Sequence, residues 1–371
     1  MTALFHSAYP SSFFHSLFPP STVYETVGDA TVPWVFDSVD REYTALRESS
    51  ALVDLSGVGL IDVRGPDALE FVQRAFTRDV EYLTPDRSLT GLVLDEAGAP
   101  QDVATVYKSE GGFTVETAVG CGPATLAAFE RLIGEMGLSV TLAPSSDVAV
   151  AVEGPQTWRH GEAAIGVNAS GLPFEGVMHA TWSGRDILIS RTGYTSEYGF
   201  KVQAPEEVAL ELWPALAAHS VPAGHQALEI TMLEVRQPRL HRELGSDPSV
   251  IGSGLNWLVD MEKGDFVGRD ALAAAAAMPV SRMTVGFAVE SEALPQPGAT
   301  VALGDQVVGS VIDAVRDPGL ATTIGLIGVE PAIAASGLEL ELVGAEGERQ
   351  LIKTLSSPYR VPTSWAAIKQ G

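Results

Sequence analysis

Cysteine is almost absent from this sequence of 371 residues, in which Cys121 is the only one. One cysteine excludes a disulfide framework, a zinc-finger array and a cysteine-ligated cluster, and it suits a cytoplasmic protein. Long hydrophobic runs are absent too, since no apolar stretch reaches the roughly 20 residues that cross a bilayer. The N-terminal residues lack the basic region and clean apolar core of a signal peptide. We therefore expect a cytoplasmic chain without a membrane segment, whose N-terminal residues form a mobile arm or a strand laid on the body.

Basic residues are scarce relative to acidic ones. The sequence has 23 Lys and Arg against 47 Asp and Glu, and its formal net charge is −24. Binding to nucleic acid or to an anionic membrane requires Lys and Arg to neutralise phosphates, so this balance argues against both partners. We expect a small-molecule substrate, and the sequence leaves the oligomeric state open.

Several motifs that carry chemistry are missing. The seven His are scattered, and none forms HExxH or another ligand pair at helical spacing, so the sequence predicts no metal site. There is no GxxxxGK phosphate loop and no GxSxG elbow, which argues against a P-loop enzyme and against an α/β-hydrolase.

The patterns that are present predict an α+β protein with a strand-rich end. Pro66–Val80 places apolar residues on one helical face, and Asp95–Ala99 lies between two strand-like runs as a hairpin turn. From Met283 onward, short β-rich runs alternate with Gly, Pro and Asp turns, which is typical of a small barrel. We therefore predict two mixed α/β modules, residues 1–146 and 147–278, and a C-terminal β-barrel over residues 279–371.

Three segments together resemble a known family. They are EYTALRESSALVDLS at Glu42–Ser56, RTGYTSEYGF at Arg191–Phe200 and GLNWLVDMEKGDFVGRDAL at Gly254–Leu272. In this order and spacing they resemble the glycine-cleavage T protein, an aminomethyltransferase, and its folate-binding relatives. The likeness extends from about Val32 to Arg360. It implies a three-domain cloverleaf around a central pocket in which tetrahydrofolate lies.

The family also includes folate-dependent demethylases and an iron–sulfur assembly factor. The assembly factor has a cysteine in a segment that here contains Asp265. Because a cluster or redox role needs that thiolate, the resemblance does not extend to this branch.

The resemblance assigns site residues in the first module unevenly. The family has two adjacent aspartates on a strand, and the second is central to catalysis beside the folate. Asp102 matches the first aspartate, and Val103 stands at the catalytic position. Tyr107 keeps a tyrosine of the family, whereas Thr90 replaces another one. Asp102 is the residue we would expect to act as the base or to orient the reacting amine. The alternative is that it only accepts hydrogen bonds from a turn.

Four further positions follow from the later segments. Tyr194 keeps the tyrosine of the RTGYT motif, and Arg360 matches a C-terminal arginine that would meet a carboxylate. Lys201 replaces a glutamate that hydrogen-bonds the pterin edge, and Leu228 replaces an arginine. A pterin presents a donor edge that a carboxylate accepts well, whereas a lysine has only donors. Val103 cannot accept a proton at all.

Three functional hypotheses are compatible with these replacements. The first is a divergent tetrahydrofolate-dependent transferase or demethylase that moves an aminomethyl or methyl group but does not perform the glycine-cleavage reaction itself. The second is a folate-independent enzyme of specialised metabolism, in which Val103 and Leu228 line an apolar pocket and Lys201 meets an anionic or carbonyl oxygen. The third is a binding protein without catalytic activity on the same scaffold. Tetrahydrofolate is the cofactor that the first hypothesis implies, and the second hypothesis does without it.

Overall fold

The computed structural model of the protein describes residues 12–244, 249–291, 293–344 and 347–367. Its strands form a two-stranded ribbon, a five-stranded sheet, a six-stranded sheet and a closed six-stranded barrel. Helices pack on the two larger sheets, and the barrel comes last in the chain. The prediction of an α+β fold with two mixed modules and a C-terminal barrel is confirmed.

The first module carries the ribbon and the five-stranded antiparallel sheet, whose order is β5-β6-β7-β4-β8. Its elements are β1 (Val23–Val27), β2 (Ala30–Val35), α1 (Val39–Glu48), β3 (Ala51–Asp54), β4 (Val58–Arg64), α2 (Ala68–Ala75), β5 (Ser88–Leu94), β6 (Pro100–Ser109), β7 (Gly112–Val119), α3 (Gly122–Met136) and β8 (Thr141–Pro144). The apolar face seen in the sequence becomes α2, which buries Ala68, Phe71, Val72 and Ala75.

The second module is built on the six-stranded sheet, in the order β10-β11-β12-β9-β3-β13. Its elements are β9 (Asp147–Glu153), α4 (Thr157–Ile165), β10 (Val177–Trp182), β11 (Arg185–Ser190), β12 (Gly199–Pro205), α5 (Glu206–Ala217), β13 (Val221–Pro222), α6 (His225–Val235), α7 (Leu240–Glu243) and α8 (Arg269–Ala276). Helix α8 begins three residues later than the sequence predicts from Phe266, because Gly268 adopts a left-handed φ of 80° just before it.

The barrel consists of the six β-rich runs that the sequence shows after Met283. They are β14 (Met283–Val289), β15 (Thr300–Leu303), β16 (Gln306–Asp317), β17 (Thr322–Val329), β18 (Glu339–Val343) and β19 (Arg349–Leu355), followed by α9 (Thr363–Ala367). Closure in the order β14-β17-β16-β15-β18-β19 leaves no open edge. Buried Phe287, Val301 and Ile327 belong to its interior cluster.

The predicted ranges 1–146, 147–278 and 279–371 differ from the sheets at one strand. β9 begins at Asp147 and the first barrel strand begins at Met283. However, β3 lies inside the six-stranded sheet, where it pairs antiparallel with β9 and parallel with β13. The two modules therefore share a sheet and cannot be divided at residue 146 without removing an internal strand.

The N-terminal arm expected from the sequence lies partly outside the described residues, which begin at Ser12. From there to Phe18 the segment packs on the second module. Phe14 is fully buried and stacks on Trp213 with ring centroids 4.9 Å apart. Among the described residues, no helix is both long and apolar enough to cross a bilayer.

Candidate functional site

The candidate site lies where a face of the five-stranded sheet meets a face of the open six-stranded sheet. Side chains alternate along a strand, so Val103, Thr105 and Tyr107 project from one face of β6. Glu116 of β7 pairs with Thr105 across the ladder and projects from the same face. From the other sheet, Lys201 on β12 reaches this surface and contacts Glu116.

An ion pair between Lys201 and Glu116 joins the two sheets. The two side chains are 3% and 2% exposed. Lys201 Nζ also donates to Tyr194 Oη at 3.1 Å and lies 4.4 Å from the centroid of the Tyr194 ring. Burial alone lowers the pKa of Lys201, but Glu116, Tyr194 and Tyr107 together outweigh burial and hold that pKa well above its usual value. The lysine is therefore charged at neutral pH.

Two further donors share the carboxylate of Glu116. Tyr107 Oη donates to Oε2 at 2.9 Å, and Gln203 Nε2 donates to the same oxygen at 3.2 Å. Tyr107 Oη is also 3.3 Å from Ser190 Oγ. Burial and the negative charge of Glu116 raise the pKa of Tyr107, so its hydroxyl stays neutral and acts as a hydrogen-bonding group.

The RTGYT segment is held by a second buried carboxylate, Glu153, at the end of β9. Its oxygens accept hydrogen bonds from Tyr194 N at 3.1 Å and from Thr195 Oγ1 at 2.7 Å. A Cβ on Gly193 would lie 2.8 Å from Glu153 Oε1, so the glycine permits this close approach. Burial raises the pKa of Glu153 to about 7. Glu153 thus fixes the loop that places Tyr194 beside Lys201.

The structure brings together three of the residues predicted from the sequence. Tyr107, Tyr194 and Lys201 form one hydrogen-bonded cluster with Glu116. Thr90 lies next to this cluster, since its hydroxyl is 3.0 Å from that of Thr105. These contacts join residues from both modules.

Two predicted residues contribute apolar surface nearby. Val103 packs on a cluster that includes Leu92, Leu258 and Phe266. Leu228 is buried in a separate cluster, against which Tyr194 packs. The positions that the resemblance assigns to a carboxylate and a guanidinium are thus built into apolar packing.

Asp102 does not belong to the cluster. It precedes Val103 on β6 and therefore points to the opposite face of the sheet, towards α3. Its carboxylate is fully buried and accepts from Thr125 Oγ1 at 2.7 Å and from Ala118 N at 2.9 Å. Burial raises the pKa of Asp102 to about 6. These contacts keep the carboxylate outside the cluster, and they match the alternative of a residue that satisfies local donors.

Arg360 lies at the junction with the barrel rather than beside Lys201. Its Nη1 donates to Tyr43 Oη at 3.3 Å, and Tyr43 in turn donates to Glu234 at 2.6 Å. Glu234 also receives the guanidinium of the buried Arg47. The expected role of Arg360 towards a substrate carboxylate stays a prediction.

Two residues that the sequence patterns do not indicate, Glu116 and Gln203, complete the cluster. The available signal is a single charged residue inside a β-rich run, as in FTVETAV around Glu116. Such a residue is buried only if it has partners. Its partner Lys201 is 85 residues away in sequence, so the pattern alone does not identify the pair.

Two clefts lie away from the cluster. One of about 930 Å³ is lined by residues of α3 and by the segment around Asp265, and one of about 440 Å³ is lined by residues such as Arg242 and Arg282. None of the predicted site residues lines either cleft. We assign the candidate site to the cluster because charged and hydrogen-bonding side chains from the two sheets contact one another there.

Comparison with known families identifies the scaffold. The family model described as the GCVT N-terminal domain matches residues 12–263. The chain belongs to this family, that of the glycine cleavage T protein. It is 31% identical to an aminomethyltransferase of Synechococcus elongatus over 87% of this chain and 89% of that protein. It is 30% identical to an aminomethyltransferase of Streptomyces coelicolor over 88% and 91% of the two chains.

A solved structure of the GCVT family shows the same fold. It is the crystal structure of glycine cleavage system aminomethyltransferase T from Bartonella henselae, with a TM-score of 0.84 and 23% sequence identity. The alignment covers 92% of this chain and 95% of that one. The resemblance seen in the sequence motifs is confirmed.

Proposed function

We propose that the protein is a tetrahydrofolate-dependent one-carbon transferase, which moves an aminomethyl or methyl group onto or from the folate. The observation that carries this proposal is the convergence of Tyr107, Tyr194 and Lys201 in one buried cluster between the modules. The family resemblance implies folate contacts at these three positions, which supports the proposal. The aminomethyltransferases among its relatives support the same class of reaction.

The side chains of the cluster fit a flat polar heterocycle. Tyr107 and Tyr194 offer aromatic surface, and Ser190, Gln203 and Glu116 offer hydrogen-bonding groups within a few ångströms. Bound tetrahydrofolate supplies the amine nitrogens that carry the one-carbon group. The chain holds the pterin ring, orients it between the two sheets and excludes water from it.

The proposed reaction differs from glycine cleavage itself. Val103 occupies the position at which the family resemblance expects the catalytic carboxylate, and it has no atom that accepts a proton. The one acidic neighbour on β6, Asp102, faces the other way and is engaged by Thr125 and Ala118. We therefore assign this chain to a divergent branch of the family that transfers one-carbon groups. The group that it transfers is an aminomethyl group or, as the alternative, a methyl group carried by an amine.

A folate-independent enzyme is the second candidate. The observation in its favour is that Val103 and Leu228 are part of apolar clusters, which suits a less polar ligand than a pterin. In that case Lys201 would meet a carbonyl or anionic oxygen. The same scaffold could also bind a small molecule without catalysis.

Titration of tetrahydrofolate into the full chain by calorimetry, under anaerobic conditions, tests the proposal. We expect a dissociation constant in the micromolar range. Tyr107→Phe leaves Glu116 without one donor and should weaken binding about tenfold. Tyr82→Phe is the matched control, since Tyr82 is 83% exposed and should not change the affinity. Absence of binding at millimolar tetrahydrofolate would overturn the proposal in favour of the second candidate.

A further inference from the structure

The cleft of about 440 Å³ lies at the junction of the second module with the barrel. Its lining comes from the end of α7, the turn at residues 249–253, the segment at residues 278–282 that leads into β14, and part of β16. It includes neither Lys201 nor Glu116, so it is separate from the candidate site. Clefts of this size between domains are common places for small-molecule binding.

The accessible charges of this cleft are positive, although the chain as a whole is strongly acidic. Two arginines, Arg242 and Arg282, line it. Glu243 is the carboxylate among the lining residues that the structure describes, and its side chain is 2% exposed and paired with Arg236 and Arg239. In a chain with a net charge of −24, a cleft that offers two guanidiniums favours an anionic ligand.

Arg282 is held in place without an acidic partner. Its Nη2 donates to Ser310 Oγ on β16, and no carboxylate of the described residues pairs with it. Gly328 on β17 permits this position, because a Cβ there would overlap Arg282 Nε. The barrel therefore fixes this guanidinium while its Nη1 group has no partner in the described part of the chain.

The second module supplies two more donors. Arg242 Nε donates to Glu229 Oε2 at 3.1 Å, and its guanidinium carbon lies 5.6 Å from the centroid of the Trp34 ring. These contacts orient the side chain and leave both of its Nη groups unpaired with the residues described. Ser253 lines the cleft and is 8% exposed, and its hydroxyl bonds to no described residue. A nearly buried hydroxyl without a partner favours an acceptor from a ligand.

We propose that this cleft binds a small molecule that carries a phosphate group, whose oxygens accept from Arg242, Arg282 and Ser253. Guanidiniums bind phosphate oxygens through charge-assisted hydrogen bonds. Three separate donor groups match the three terminal oxygens of a phosphate monoester better than the two oxygens of a carboxylate. The cleft is larger than a phosphate group and also has apolar lining, such as Ile251 and Val311, so we expect an organic group to occupy the rest.

Calorimetric titration of phenyl phosphate into the full chain, in a phosphate-free buffer, tests the proposal. We expect a dissociation constant below about 1 mM, and binding of benzoate at least about tenfold weaker. Arg282→Gln should weaken phenyl phosphate binding at least about tenfold, because the ligand loses a charged donor, and Ser253→Ala should weaken it about threefold. Arg349→Gln is the matched control, since Arg349 is a barrel arginine outside the cleft that pairs with Glu341.

Each result supports the proposal or overturns it. No binding of phenyl phosphate at about 10 mM, or the same affinity in Arg282→Gln as in Arg349→Gln, would overturn it. Equal affinity for benzoate would overturn the assignment to phosphate. If Arg282→Gln does not fold, as judged by circular dichroism, Ser253→Ala and the comparison with benzoate still decide. Binding of tetrahydrofolate is measured separately, so failure of this proposal leaves the proposed function in place.

Discussion

Single residues on β6 have opposite environments although they are neighbours in sequence. Val103 faces the second module, and Asp102 faces α3 with both carboxylate oxygens engaged. The raised pKa of Asp102 means that its carboxyl group holds a proton more tightly in the folded state than in the unfolded chain. The stabilisation from this group is therefore fully present below about pH 4 and is lost as the pH rises through about 6.

Asp102→Asn tests this residue directly. We expect one-carbon transfer to keep its turnover within about threefold, because the side chain does not reach the cluster. The variant does not titrate, so any stability advantage of the wild type should shrink between pH 4 and pH 7. Thermal unfolding across that range measures this, and a turnover loss of about 100-fold would instead assign Asp102 a catalytic role.

At the scale of elements, the N-terminal segment from Ser12 to Phe18 packs on helix α5. Phe14 is fully buried and Phe18 is nearly so, and both rings pack against Trp213 of that helix. Aromatic pairs of this kind contribute about 0.5–1.5 kcal/mol beyond their buried area. The segment is therefore part of the second module although it comes first in the sequence.

Phe14→Ala should remove a substantial part of this packing. We expect a loss of about 3–5 kcal/mol in the free energy of unfolding, since the ring is fully enclosed. Denaturant unfolding followed by tryptophan fluorescence measures it. Phe174→Ala is the control, because Phe174 is 67% exposed and should change stability by less than about 0.5 kcal/mol. Equal effects of the two changes would mean that the segment is not docked in solution.

The elements of the fold differ in how far the sequence predicts them. Periodicity and turn residues identified α2, the β5–β6 hairpin and all six barrel strands, because these signals are local. The motif around Tyr194 located part of the site. A shift of one residue along β6 moves a side chain to the other face of the sheet, so the face on which Asp102 lies depends on the exact register. The contact of Glu116 with Lys201 depends on how the two sheets face each other. Neither is a property of a short stretch of sequence.

At the scale of the whole molecule, a buried ion pair ties the barrel to the second module. Arg239 is fully buried, and its Nη2 lies 2.9 Å from Oδ2 of Asp313 on β16. Glu243 lies on the other side of the same guanidinium. Asp313 is thus one of two carboxylates that compensate the buried charge of Arg239, and it is the one that the barrel supplies.

Asp313→Ala should therefore destabilise the protein by about 1–3 kcal/mol, because Arg239 loses one of its two carboxylate partners. Asp305→Ala is the matched control on the same barrel, because Asp305 is fully exposed and its pair with Arg349 contributes at most about 1 kcal/mol. Differential scanning calorimetry measures both variants. A shift no larger than that of the control would show that the Arg239 pair does not hold the barrel in place.

The position of β3 inside the second sheet has a consequence for how the chain is made. Ala51 pairs with Glu153 on one side and with Val221 on the other, so both neighbours of this strand are synthesised long after it. During translation β3 has no strand of this sheet to pair with until β9 has left the ribosome. The six-stranded sheet is complete only after β13 has been synthesised as well. A gene split after residue 146 would separate the strand from the sheet it belongs to, and its two products could regain the fold only by assembling with each other.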